Sequence, residues 1–121
     1  MPDLLRLMLV PADPALPVSM VDVDHDHRAL AAAIGADWIE HVRTPIPRLA
    51  MIVDEEGHVT GRPLNKRVSG VLYPGAICGD VLIASETHSR DGGIDVISLV
   101  ALHVHQLDLV GLRAGELVDD A

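Results

Sequence analysis

The stretch VDVDHDHRALAAAIG, Val21 to Gly35, changes its period midway, and that change decides the class of fold. Around its start, VSMVDVD (Val18 to Asp24) alternates apolar and polar residues, but Val18 and Met20 are out of phase with Val21 and Val23. This predicts a β-strand that bulges or ends near Val21. From Asp26 onward Leu30, Ala33 and Ile34 recur at helical spacing among alanines, the residue with the best helix propensity, and Gly35 supplies a stop. A strand running straight into a short helix predicts a mixed architecture.

Upstream, LLRLMLV (Leu4 to Val10) is apolar, ends at a proline and is too short for a typical helix, so it predicts a buried strand followed by an extended turn in PADPALP. Downstream, DWIEHVR (Asp37 to Arg43) alternates imperfectly and closes on TPIP. The run Leu49 to Val53 enters DEEG and returns through Val59, which predicts a hairpin. Proline and glycine are too frequent in RPLNKRVSGVLYPGAICGD (Arg62 to Asp80) for a regular element, and a structured loop is expected. DVLIASE resumes as a strand, THSRDGG breaks it, and Asp95 to Ile97 forms a further short strand. Val100, Leu102 and Val104 alternate as in a strand, yet Val100, Val104, Leu107 and Gly111 fit a helix ending in glycine; a helix from about Ser98 is preferred. The sum is an α+β (mixed α/β) fold in a single compact domain over residues 1–121. Its sheet is small, mixed or antiparallel, of about five strands, with one or two helices packed on one face.

Composition narrows the function classes. Cys78 is the only cysteine, which excludes an intrachain disulfide and a cysteine metal cluster and points to a reducing cytoplasm, with the thiol as a small buried residue. Leu4 to Val10 is too short an apolar run to span a membrane, and Asp3 stands where a signal peptide would carry basic residues. Nine Lys and Arg against eighteen Asp and Glu leave a net charge of -9, which repels phosphate backbones. One Trp, one Tyr and no Phe leave no stacking platform for bases, so nucleic-acid binding is not expected.

Several short motifs fall in a recognisable order. Gly35 follows the helix, Ile39 and Glu40 form an IE pair, and a strand runs into VDEEG (Val53 to Gly57). G-x-P-L-N-x-R (Gly61 to Arg67) and GDVLI (Gly79 to Ile83) follow. Over residues from about 35 to 84 this order resembles the family of domain of unknown function 3846 (DUF3846), found in phages, plasmids and mobile elements of bacteria. Ala36 and Ala84 stand where that family often has glycine. The resemblance implies a compact α/β fold and a mobile-element origin, and implies no activity.

Two constellations carry candidate chemistry. In DVDHDHR (Asp22 to Arg28), His25, Asp26 and His27 are ligand types for a divalent metal, with His103 and His105 as further ligands. Rings at i and i+2 share a face only on a strand, and Asp24 or Asp26 at a helix start instead predicts an N-cap, the preferred role. In RPLNKR, Arg62, Asn65, Lys66 and Arg67 form the only basic concentration, beside an acidic rim of Asp54, Glu55 and Glu56. These seven residues suit an interaction loop for a phosphate or a partner carboxylate. The alternative is that Asn65 fixes a turn after Pro63 while the cations pair with the rim across the hairpin. Cys78 and the serines at 19, 69, 85, 89 and 98 sit in no nucleophile elbow, and no phosphate-binding glycine motif occurs, so neither catalytic residues nor a cofactor are assigned.

The expected function is a non-enzymatic one: a small cytoplasmic phage or mobile-element accessory protein that binds a host protein through the 62–67 loop. The alternative is a small-molecule, nucleotide-binding or metal-dependent hydrolase domain built on the His/Asp cluster. An acidic DNA mimic stands third. Edge strands in so small a sheet also make a homodimer plausible.

Overall fold

The computed structural model describes residues 3–115. Six strands and two helices follow one another as β1 (Leu4–Val10), β2 (Ser19–Asp24), α1 (His27–Ala33), β3 (Ile39–Arg43), β4 (Leu49–Asp54), β5 (Val81–His88), β6 (Ile94–Ile97) and α2 (Ala101–Leu109). The sheet order is β2-β1-β5-β4-β3, with β6 also on β5, and every pairing is antiparallel. β5 is the hub. β4 lies along one of its edges, while the other edge is shared end to end by β1, at Val81 to Ile83, and β6, at Ser85 to His88. A strand flanked on both edges and covered on both faces reads as a continuous apolar run, and Val81 to Glu86 are all buried.

Alternation sorts the core into two layers. Met8, Val10, Leu49, Met51, Val53, Val81 and Ile83 face one way and meet Leu107 of α2 and Val68, Leu72 and Ile77 of the long loop. Leu5, Leu7, Val23, Ile52, Leu82, Ala84 and Val96 face the other way and meet Leu30 of α1 and Ile34 at its C-cap. The helices therefore cover opposite faces instead of sharing one. α1 is only seven residues long and covers just part of its face.

Four local expectations are corrected. β2 runs without a bulge to Asp24, in register from Leu9↔Ser19 to Leu4↔Asp24. Long-range pairing with β1 overrides the phase break seen in the sequence. The hairpin partner of β4 is β3, which precedes it, and no strand returns through Val59, which is 88% exposed. Instead Asp54 accepts the Glu56 N–H on its side chain and the Gly57 N–H on its carbonyl, and Thr60 and Arg62 continue the coil of turns. β5 runs through Thr87 to His88, making a hairpin with β6 around the SRDGG turn. Cys78 is half-buried, not enclosed, with Sγ 3.6 Å from His58 Nδ1.

Candidate functional site

The part of the sheet that α1 leaves uncovered forms a cleft of about 340 Å³. Leu30, Ile39, Ile52 and Val96 give it an apolar floor, and His25, Asp26, His27, His41 and Asp95 stand around it. His41 is placed by register: it sits opposite Ile52 on β3, so its ring projects to the α1 face. Glu86 follows Leu82 and Ala84 at period two on the same face of β5, and it is only 5% exposed. A carboxylate buried that deeply needs a partner. His41 Nε2 donates to Glu86 Oε2 at 2.5 Å, and Arg43 Nε approaches the same oxygen to 3.9 Å. Neither His41 nor Glu86 was found from the sequence. The available signal was Glu86 itself, the one charge inside an otherwise apolar strand.

His25 joins three segments. Its Nδ1 donates to Asp3 at 3.2 Å and its Nε2 to Asp95 on β6 at 3.0 Å. Partial burial works against the charged ring, but hydrogen bonds to Asp3 and Asp95 and the charge of both carboxylates outweigh it and raise the pKa above the usual histidine value. Asp26 occupies the N-cap position with extended backbone, φ -153 and ψ 134, yet its side chain makes no cap hydrogen bond. Capping by Asp24 or Asp26 side chains is thus corrected: Asp24 contributes only its carbonyl, to the Asp26 N–H. The Asp26 carboxylate and the exposed His27 border the cleft instead.

The other histidine pair lies across the sheet. His103 is buried under α2, where Nε2 donates to the Pro47 carbonyl at 3.0 Å and Nδ1 accepts from Ser85 Oγ at 2.6 Å. Ser85 Oγ in turn accepts the Val100 N–H that opens α2. His105 points away, exposed. His25, Asp26 and His27 are therefore not joined by His103 and His105. Among the described residues no group of three or more His, Cys, Asp and Glu is placed to hold a metal ion.

The RPLNKR loop turns most of its polar groups inward. Arg62 Nε pairs with Asp54 Oδ2 at 2.5 Å and its Nη2 donates to the Gly35 carbonyl, which the left-handed φ of +67 at Gly35 turns toward it. Asn65 is fully buried, donating from Nδ2 to the carbonyls of Val10 (2.9 Å) and Gly79 (3.1 Å) and accepting the Arg67 N–H on Oδ1 (3.2 Å). Arg67 clamps the PADPAL turn through the carbonyls of Pro11, Pro14 and Leu16. Lys66, Glu55 and Glu56 remain exposed.

On the opposite face, α2 buries only His103 and Leu107. Leu102 and Leu109, seven residues apart and so on one stripe, are 63% and 72% exposed, with Val104 and Val110 also open. An apolar groove runs beside the helix, lined by Met8, Met20, Val104 and Leu112.

Comparisons with known proteins bear on the fold and the family. No curated protein matches the sequence. A solved structure described as the crystal structure of small RNA methyltransferase HEN1 is similar, with a TM-score of 0.67 and 11% identity over 89% of this chain. This chain spans only 16% of that one, and at such identity the likeness concerns the fold alone. The model of the family described as domain of unknown function (DUF3846) matches residues 6–104, well beyond the 35–84 segment that carries the motifs, and runs from within β1 through β6 to the first turn of α2. The chain belongs to the DUF3846 family.

Proposed function

We propose that this chain is a small, non-enzymatic accessory protein, phage- or mobile-element-encoded, that works in the host cytoplasm by binding a host protein. The observation that supports this is the outward stripe of α2, where Leu102 and Leu109 are left in water on a helix otherwise anchored by two residues. Large apolar side chains exposed along one helix suit an interaction site. The contact therefore centres on α2, because Arg62, Asn65 and Arg67 already hold the fold together. The net charge of -9 favours a partner with a basic rim around an apolar centre.

Leu102→Ser combined with Leu109→Ser tests the reading, since neither side chain is part of the core. A partner crosslinked by the natural chain should be lost with the double variant, and its association should weaken as salt rises. Unchanged capture by a folded double variant removes α2 as the contact. Capture that is unaffected by salt removes the basic rim.

A further inference from the structure

We propose that the cleft between α1, β3 and β6 binds a small organic ammonium compound, a primary amine carried on a short apolar body. Two features define the class of ligand. The floor is apolar and continuous with the core: Ile52 and Val96 are almost fully buried beneath the opening, with Leu30 and Ile39 beside them. A volume of about 340 Å³ lies in the range of small-molecule sites.

Two carboxylates at the rim keep oxygens open, and both ring nitrogens of His25 are already engaged by Asp3 and Asp95. Neither Arg nor Lys lines the cleft. Asp26 makes no hydrogen bond back to its helix, leaving its carboxylate open at the rim. Asp95 takes His25 and the Val96 N–H on Oδ1, which leaves Oδ2. His41 is held by Glu86 through its Nε2, so its ring stands in a fixed place beside these two carboxylates. An ammonium group carries three donors and no acceptor, which matches the open oxygens of Asp26 and Asp95, whereas a carboxylate or phosphate would face like charge at that rim with the His25 ring already taken up by Asp3 and Asp95. Position also fits, because a charged head at the wet rim and a hydrocarbon body on Ile52 satisfy both ends of such a molecule.

The test uses three probes with one tail and different heads: n-hexylammonium, hexanol and hexanoate. Each is titrated into the full chain while backbone amide and histidine ring signals are followed by NMR. Hexylammonium should give saturable shifts at His41, Val96 and the start of α1, with an affinity of ~1 mM. Hexanol should bind about tenfold more weakly, and hexanoate should not saturate. Asp26→Asn, which removes no internal hydrogen bond, should weaken hexylammonium about tenfold and leave hexanol unchanged. Equal binding of hexanol and hexylammonium, tighter binding of hexanoate, or shifts confined to the α2 groove would each overturn the proposal. So would an Asp26→Asn variant that binds the amine undiminished.

Discussion

Replacing Asn65 by alanine should cost the protein about 3 kcal/mol, although the residue lies in a loop and touches no regular element's interior. The figure follows from its three side-chain hydrogen bonds, to Val10 O, Gly79 O and Arg67 N, all formed at a fully buried position. A net ~1 kcal/mol for each is the usual contribution, and the partners left behind cannot recruit water easily. Against a total stability of ~5–15 kcal/mol that is a large fraction. With a urea slope of ~1.5 kcal/mol/M, the midpoint should fall by ~2 M. Asn65→Asp should be worse at neutral pH, because a carboxylate would then face two carbonyl oxygens, and should recover partly in acid, where the protonated group regains one donor. Lys66→Ala, next in the chain but exposed, provides the control and should shift nothing. If Asn65→Ala moved the urea midpoint by less than ~0.5 M, Asn65 would be only a local turn residue, and the tie between β1 and the loop would have to be sought elsewhere.

Two further outcomes are expected. His25 has its pKa raised in the folded state, so its contribution is complete below the unfolded histidine value of ~6.5 and disappears as pH rises through the folded one. His25→Gln should therefore lower stability by about 0.5 kcal/mol in mild acid and hardly at all in alkali, read as urea midpoints across pH; an equal loss at both ends would contradict the bridge to Asp3 and Asp95. Gly57→Ala would place a Cβ 2.6 Å from the Cys78 carbonyl oxygen, with backbone on both sides. A loss of ~1–3 kcal/mol is expected by thermal unfolding, and an unchanged midpoint would show that the turn and the loop can move apart.

Local pattern carried much of the fold. The apolar runs of β1, β4 and β5 and the alanine helix closed by Gly35 stand where their sequences place them, since burial on both faces or on one stripe leaves a periodic trace. The partners of those elements left no such trace. DEEG looks like a hairpin turn because acidic residues and glycine favour any tight turn; that Asp54 uses both its carboxylate and its carbonyl to wind the chain onward is a property of the folded contacts. The strand β2 is fixed by register with β1, which outweighs its own broken phase. For the site, DVDHDHR was visible as a cluster, but the role of each member depends on groups far along the chain: Asp95 is 70 residues from His25, and Glu86 is 45 from His41. Aspartates ahead of an alanine-rich helix predict side-chain capping, but the Asp26 carboxylate makes no cap hydrogen bond.

The inward turn of the loop changes how the charge of the protein should be understood. Composition sets Arg62 and Arg67 against the acids as though both were on the surface, but Arg62 is held by Asp54 and a backbone carbonyl, and Arg67 is surrounded by backbone carbonyls of the PADPAL turn. A guanidinium whose donors are already satisfied offers little to an incoming phosphate or carboxylate. The exposed neighbours Glu55 and Glu56 then face solvent with only Lys66 free of such ties in the same loop. The loop is thus a weaker anion site than its sequence suggests, and the acidic character of the molecule reaches solvent with less local compensation. The basic-rimmed partner proposed for α2 rests on that imbalance. A single perturbation probes it: Glu55→Lys with Glu56→Lys, both exposed, should slow salt-dependent association at low ionic strength while leaving the urea midpoint unchanged. Association that sped up instead would mean the partner is acidic and the charge argument runs the wrong way.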